Sequence, residues 1–189
     1  MTGAFLVYPA IGAVAGVLAG LLGVGGGIVI VPVLIFTFHW LGFSEAVLTH
    51  MAVGTSLATI LLTSLGSIKQ HNEAGAVRWP IIGHLSLGLV LGAILGAWFA
   101  ESLKGRAIQI LFAIFATAIA WQMLKGAKPA PSRQLPGPTG LATAGGVIGF
   151  ASAIFGIGGG SLTVPFLTWC NVRMQEAVGT SAACGFPIA

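Results

Sequence analysis

Twice in this chain a run of glycines interrupts an apolar stretch. The first is Gly23-Val24-Gly25-Gly26-Gly27, followed by Ile28 to Pro32; the second is Gly156-Ile157-Gly158-Gly159-Gly160, followed by Ser161 to Pro165. Each glycine costs a helix interior roughly 1 kcal/mol relative to Ala, so each cluster breaks a helix. A helical segment restarting after such a break presents its unpaired N–H groups and the positive end of its dipole. Glycine leaves no Cβ between that backbone and a ligand. The chemistry available to such a site is the holding of an anion. Gly25, Gly26, Gly27, Gly158, Gly159, Gly160 and Ser161 are the candidate binding residues at the breaks. Thr55 and Ser56, in Ala52-Val53-Gly54-Thr55-Ser56, and Thr180 and Ser181, in Ala177-Val178-Gly179-Thr180-Ser181, could add hydroxyl donors. His50 lies in an apolar segment and is a candidate for a proton or ligand role, as is His84 with a weaker case. No Lys-Ser/Thr follows the glycines, which excludes a nucleotide-phosphate loop. No nucleophile–base pair and no metal-spaced His, Cys or carboxylate group is found, so no catalytic residue, cofactor or metal is expected.

The elements that must position these residues are membrane helices. The chain is 56% hydrophobic and 6% charged, with a mean hydropathy of +0.99, whereas soluble domains carry about 25% charged residues. It cannot cover a soluble surface. The apolar segments are close to the length a spanning helix needs and too long for barrel strands. No basic stretch precedes the first apolar run, so a cleaved signal peptide is not expected. The net charge of +4 fits loops facing anionic lipid, with the bilayer and not a nucleic acid as partner. Cys170 and Cys184 read as small buried hydrophobes. The five tryptophans fall near segment ends, where an aromatic belt places them.

Residues 5–22 form the first segment, with Gly12, Ala15, Gly16, Ala19 and Gly20 on a small-residue face suited to close helix packing. After the first break, residues 28–41 span about 21 Å if helical. That is short of the roughly 30 Å core, so they read as a half-helix, and Pro32 implies a kink or a later start. Residues 46–68, 80–100 and 107–124 read as full crossings, with a polar loop over 69–79. Gly88, Gly92 and Gly96 lie four apart, a second helix-contact stripe. Residues 125–138, with four prolines, read as a linker.

Gly149 to Val164 aligns with Gly16 to Val31 at a constant offset, and the Ala-Val-Gly-Thr-Ser blocks repeat in the same order with eight fewer residues between them and the breaks. This is the mark of an internal duplication. Residues 1–124 form the first repeat, 125–138 the linker and 139–189 the start of a second, which reads as incomplete because the chain ends soon after Ser181. The expected fold is an all-α polytopic membrane protein built from two repeats with glycine-broken helices. Broken helices meeting at the midplane favour inverted over parallel repeats.

Gly-x-Gly-Gly-Gly before a Val-Pro, then Ala-Val-Gly-Thr-Ser, occurring twice in a small polytopic protein, resembles the sulfite exporter TauE/SafE family. The resemblance implies transport of small sulfur-containing anions, such as sulfite or organosulfonates, across the bacterial inner membrane. The residues agree on the sign of the ligand, because the spans contain no carboxylate for a cation. A membrane-embedded enzyme and a structural or assembly subunit are the alternatives; a homo-oligomer is open. Loops 69–79 and 125–138 share a side and carry five Lys or Arg, against two in 101–106, which puts the first pair in the cytoplasm. Cysteines introduced at Asn72 and Ser132, with Cys170 and Cys184 replaced, are expected to resist an impermeant thiol reagent added outside cells. One at Gly105 is expected to label, and the reverse pattern overturns the orientation.

Overall fold

The computed structural model describes residues 12, 26–124 and 134–189. Apart from Gly12, the expected first segment over 5–22 lies outside the described residues, as do Gly23 to Gly25 and most of the linker. Among those described, the regular elements are α1 (Gly27–Trp40), α2 (Glu45–Glu73), α3 (Trp79–Ser102), α4 (Gly105–Leu124), α5 (Pro138–Phe155), α6 (Gly160–Trp169) and α7 (Met174–Ile188). Four of these, α2, α3, α4 and α5, are long and apolar enough to cross a membrane; α1 is apolar but shorter.

Local chemistry sets the helix ends. The Ser44 hydroxyl accepts the Ala46 N–H at 3.4 Å and caps α2, satisfying one of the donors a helix start leaves open. Pro80 and Pro138 sit in the first turns of α3 and α5, where a missing N–H costs nothing. Gly156 ends α5 at φ +66°. Its N–H and that of Ile157 both return to the Ser152 carbonyl, the latter at 3.1 Å, a left-handed cap that glycine adopts without strain.

Three expectations change. The polar stretch 69–79 is not all loop: α2 runs on through Lys69, His71 and Asn72 to Glu73. Polar side chains in water do not break a helix; the stop comes at Gly75, φ +66°, where the Ala74, Gly75 and Ala76 N–H groups close back on the last turn. Helix α1 does not start later than Pro32 but begins ahead of it and continues past it, because proline this near the start removes a single hydrogen bond. Gly105 is a poor labelling site, since a Cβ there would lie 2.9 Å from Thr49 Oγ1. Exposed Ser102, at the end of α3, replaces it.

Among the described residues, the predicted glycine stripe makes the tightest helix–helix contact. A Cβ on Gly88, Gly92 or Gly96 would run into the backbone of Ala142, Gly146 or Phe150 on α5, and one on Gly145 or Gly149 into that of Leu85 or Leu89 on α3. Lipid tails are as apolar as leucine, so membrane helices associate through such close packing. The core forms two groups. Ile81, Leu85, Leu89, Leu141, Val164 and Leu167 belong to one; Val31, Val53, Ile108, Ile154 and Ile157 belong to the other. The outer faces are as apolar as the inner ones, with Leu62, Leu87, Ile94 and Val147 exposed, as lipid contact requires. The replacement Gly92→Ala is expected to destabilise the protein by about 1–3 kcal/mol through overpacking. Gly83→Ala on the same helix, where nothing lies within 4 Å of the new methyl, is expected to be neutral or stabilising. Melting temperatures in lipid nanodiscs check both.

Candidate functional site

The two half-helices start at one place and run to opposite ends of the molecule. A Cβ on Gly27, the first residue of α1, would lie 2.5 Å from the Gly156 carbonyl oxygen and 2.6 Å from Ile157 Cα. The start of α1 therefore rests on the break between α5 and α6. Helix α1 then leads to α2, whose first turn lies by the α3–α4 turn: Glu45 and Thr49 neighbour Gly105, and His50 Nε2 donates to the Ala100 carbonyl at 3.0 Å. Helix α6 leads instead to the far end of α3. There Arg78 pairs with Glu176 in the first turn of α7 at 2.8 Å, and Gly179 sits on Ala76. Two helix N-termini thus converge from opposite directions, and each brings partial positive charge to the breaks.

The two half-helix hairpins close alike. After α1, the N–H groups of Leu41, Gly42 and Phe43 reach the carbonyls of Thr37, His39 and Phe38; after α6, those of Cys170, Asn171 and Val172 reach Phe166, Thr168 and Leu167. Gly42 and Asn171, at the same place in each turn, both have positive φ. The eight residues by which the sequence blocks differ in spacing divide evenly. Helix α1 has 14 residues and α6 has 10; Gly54 is the tenth residue of α2 and Gly179 the sixth of α7. Each arm of the first hairpin is about one helical turn longer.

The candidate residues separate by environment. Gly25 lies outside the described residues. Gly27 is a contact glycine, as is Gly156, where a Cβ would lie 3.0 Å from both Val31 Cγ2 and Val53 Cα. Gly26, Gly158 and Gly159 face side chains and not backbone: Ile30 for Gly26, Ile60 for Gly158, and Ile188, Thr163 and Cys184 for Gly159. Gly160 opens α6 and Ser161, next to it, is buried. The Ser56 hydroxyl is fully buried and donates to the Gly156 carbonyl at 2.7 Å, which ties α2 to the break. Thr180 is also buried, but its oxygen accepts the Arg78 N–H at 3.1 Å. Ser181 returns to the Val178 carbonyl at 2.8 Å. Thr55 is exposed, and the structure does not bring its hydroxyl and that of Thr180 together. The His50 bond to Ala100 joins α2 to α3, while His84 turns back to the Pro80 carbonyl of its own helix at 2.7 Å. Cys170 and Cys184 are buried and form no disulfide. Sequence reasoning passed over Thr163 and Ser152, buried hydroxyls within a turn of the second break. The available signal was a hydroxyl at Thr163 where the first repeat carries Ile30.

The family described as "Sulfite exporter TauE/SafE" matches residues 8–189. The "Probable membrane transporter protein" of Haemophilus influenzae is 36% identical over 177 residues, covering 93% of this chain and 67% of that protein. The "Probable membrane transporter protein YunE" of Bacillus subtilis is 30% identical over 181 residues, covering 85% of this chain and 66% of its own. The "Probable inner membrane transporter protein TsaS" of Comamonas testosteroni is 32% identical over 83 residues, covering 44% of this chain and 34% of that one. The chain spans about two thirds of the length of the first two relatives. No solved structure matches it.

The Arg78–Glu176 pair, joined by Arg173 at 2.8 Å, ties the α2–α3 loop to α7 at the polar end of the bundle. Burial alone pushes the Glu176 carboxyl up; the Arg78 and Arg173 guanidiniums outweigh it and hold it below the usual carboxylate value. A group depressed in this way stabilises the fold above its unfolded-state pKa and loses that contribution as pH falls through the folded one. Wild type is therefore expected to melt above Glu176→Gln at neutral pH. The gap is expected to narrow as pH falls through the usual glutamate range and to close only below it, in thermal melts run from pH 7 to 3.

Proposed function

Because the chain belongs to the sulfite exporter TauE/SafE family, we propose that it is a secondary transporter or facilitator. The cargo is a small sulfur-containing oxyanion, sulfite or a sulfonate, carried across the bacterial inner membrane. The family is one of transporters and not of enzymes, and the chain is a multi-pass membrane protein with four candidate spans. One observation carries the reading: two half-helix N-termini converge at glycine breaks in the middle of the fold. Discontinuous helices of this kind form substrate sites in secondary transporters, with N-termini directed at anionic groups. Neither α1, α5 nor α6 contains a Lys, Arg, Asp or Glu, so the attraction for an anion comes from backbone and hydroxyls.

The opposite polarity of α2 and α7 supports two repeats, 1–124 and 139–189, in inverted topology, with half-helices that leave a shared midplane site towards opposite faces. In this reading Gly26, Gly158, Gly159, Gly160 and Ser161, with Gly25, contact the anion. Gly27 and Gly156 hold the breaks together, and Ser56 and His50 serve as ties between helices. Thr55, Thr180 and Ser181 stand further from the ligand.

The test is uptake of labelled sulfite and of an alkyl sulfonate into liposomes carrying the purified chain. A methyl at Gly26 meets only the end of Ile30, and one at Gly159 meets side chains alone. Gly26→Ala and Gly159→Ala are thus expected to insert normally while uptake falls at least about 10-fold, the loss of one interaction of about 1.4 kcal/mol with a charged group. Wild-type uptake no faster than in protein-free liposomes overturns the proposal.

A further inference from the structure

We propose that Thr163 donates a hydrogen bond to the transported anion over Gly159, and that this half of the site takes a singly charged oxyanion. The inference rests on the reading of the breaks as an anion site. Thr163 is 0% exposed, yet its Oγ1 has no hydrogen-bond partner. The other buried helical threonines and most of the more exposed ones behave differently. Thr37, Thr59, Thr63, Thr117 and Thr168 each donate to the carbonyl four residues back, the usual way for a membrane helix to satisfy a hydroxyl. Buried Thr49 and Thr180 accept from Gln109 and Arg78. At Thr163 the carbonyl four back, that of Gly159, takes the Thr163 N–H at 2.7 Å, and the hydroxyl remains unmatched.

That hydroxyl is aimed at the break. Helical side chains tilt towards the N-terminus of their helix, which for α6 is the break itself. Thr163 Oγ1 accordingly lies 3.1 Å from where a Cβ on Gly159 would be. The same relation holds in the first half, where Ile30 Cδ1 lies 3.2 Å from the corresponding point on Gly26. Thr163 and Ile30 occupy matching positions in the two aligned blocks, so one break is covered by hydrocarbon and the other by a hydroxyl. Ser152 is likewise buried and unpartnered, but it sits on α5, whose tilt carries its side chain away from the break.

The charge follows from what surrounds the site. The described Lys and Arg residues, Lys69, Arg78, Lys104, Arg106 and Arg173, all lie in loops or at helix ends. Two converging helix N-termini supply roughly half an elementary charge each, enough to balance one negative charge and not two. The cost of desolvating an ion rises steeply with its charge.

The experiment measures Kd by calorimetry and melting temperature on the full chain in nanodiscs, with methanesulfonate as monoanion, sulfate as dianion and chloride as control. Wild type is expected to bind methanesulfonate at least about 10-fold tighter than sulfate. Thr163→Val is expected to weaken methanesulfonate by a factor on the order of 10 to 150, and to melt higher than wild type without anion because an unmatched hydroxyl has gone. Thr163→Ser is expected to keep the affinity, and Ser152→Ala to leave it unchanged. An unchanged Kd in Thr163→Val, or in Thr163→Ala should the valine variant not fold, overturns the role of Thr163 while leaving the anion site standing. Sulfate binding as tightly as methanesulfonate overturns the charge assignment. A wild type that binds neither anion removes the reading of the breaks and this inference with it.

Discussion

A peptide group turned out of a helix in hydrocarbon must find a partner within the protein, and the Ser56 hydroxyl supplies one to Gly156 at 2.7 Å. That bond holds the break between α5 and α6 against α2. Gly27 then closes on the same carbonyl and on Ile157 with no room for a side chain. The start of α1, the end of α5 and the middle of α2 are thereby fixed at one point, and the half-helices leave it towards opposite ends. A larger side chain at either contact glycine would separate the two helix starts whose combined dipoles are the basis of the anion reading.

The frame around this point uses the same means. Helices α3 and α5 approach through Gly88, Gly92 and Gly96 on one side and Gly145 and Gly149 on the other, so the backbone leading into the second break is held by the most closely packed pair in the fold. Polar ties are placed at the ends: His50 to Ala100, Gln109 to Thr49, and Arg78 to Thr180 and Glu176. The interior near the breaks is left to hydroxyls and glycine. In the proposed reading, a site of this composition would attract an anion without holding it by full charges, which suits a carrier that must also release its cargo.

Glycine has three separate tasks here. In the α3–α5 stripe it permits backbone contact. At Gly156 it takes up a left-handed conformation that ends α5. At Gly26, Gly158 and Gly159 it faces side chains and not backbone, and these positions belong to the proposed site. The sequence clusters look identical, yet adjacent members such as Gly26 and Gly27 have different roles because successive helical positions point about 100° apart.

Much of this was legible in the residues. Apolar content determined a membrane protein; segment length determined helices; the spacing of Gly88, Gly92 and Gly96 marked a contact face; and the glycine runs marked the start of α1 and the break between α5 and α6. These are local properties, governed by chain propensity and by lipid as solvent. The continuation of α2 to Glu73 was missed because polar side chains signal water and not the end of a helix, while the stop lay in Gly75. Only the tertiary structure decided the partners. Ser56 and Thr180 occupy similar blocks, yet one hydroxyl donates to a carbonyl at the break and the other's oxygen accepts an N–H from the α2–α3 loop. The unmatched hydroxyl of Thr163 belongs to the same class of fact. A hydroxyl's partner depends on which helix crosses it and at what depth, and in a membrane that is set by close packing between segments distant in sequence, which no local pattern encodes.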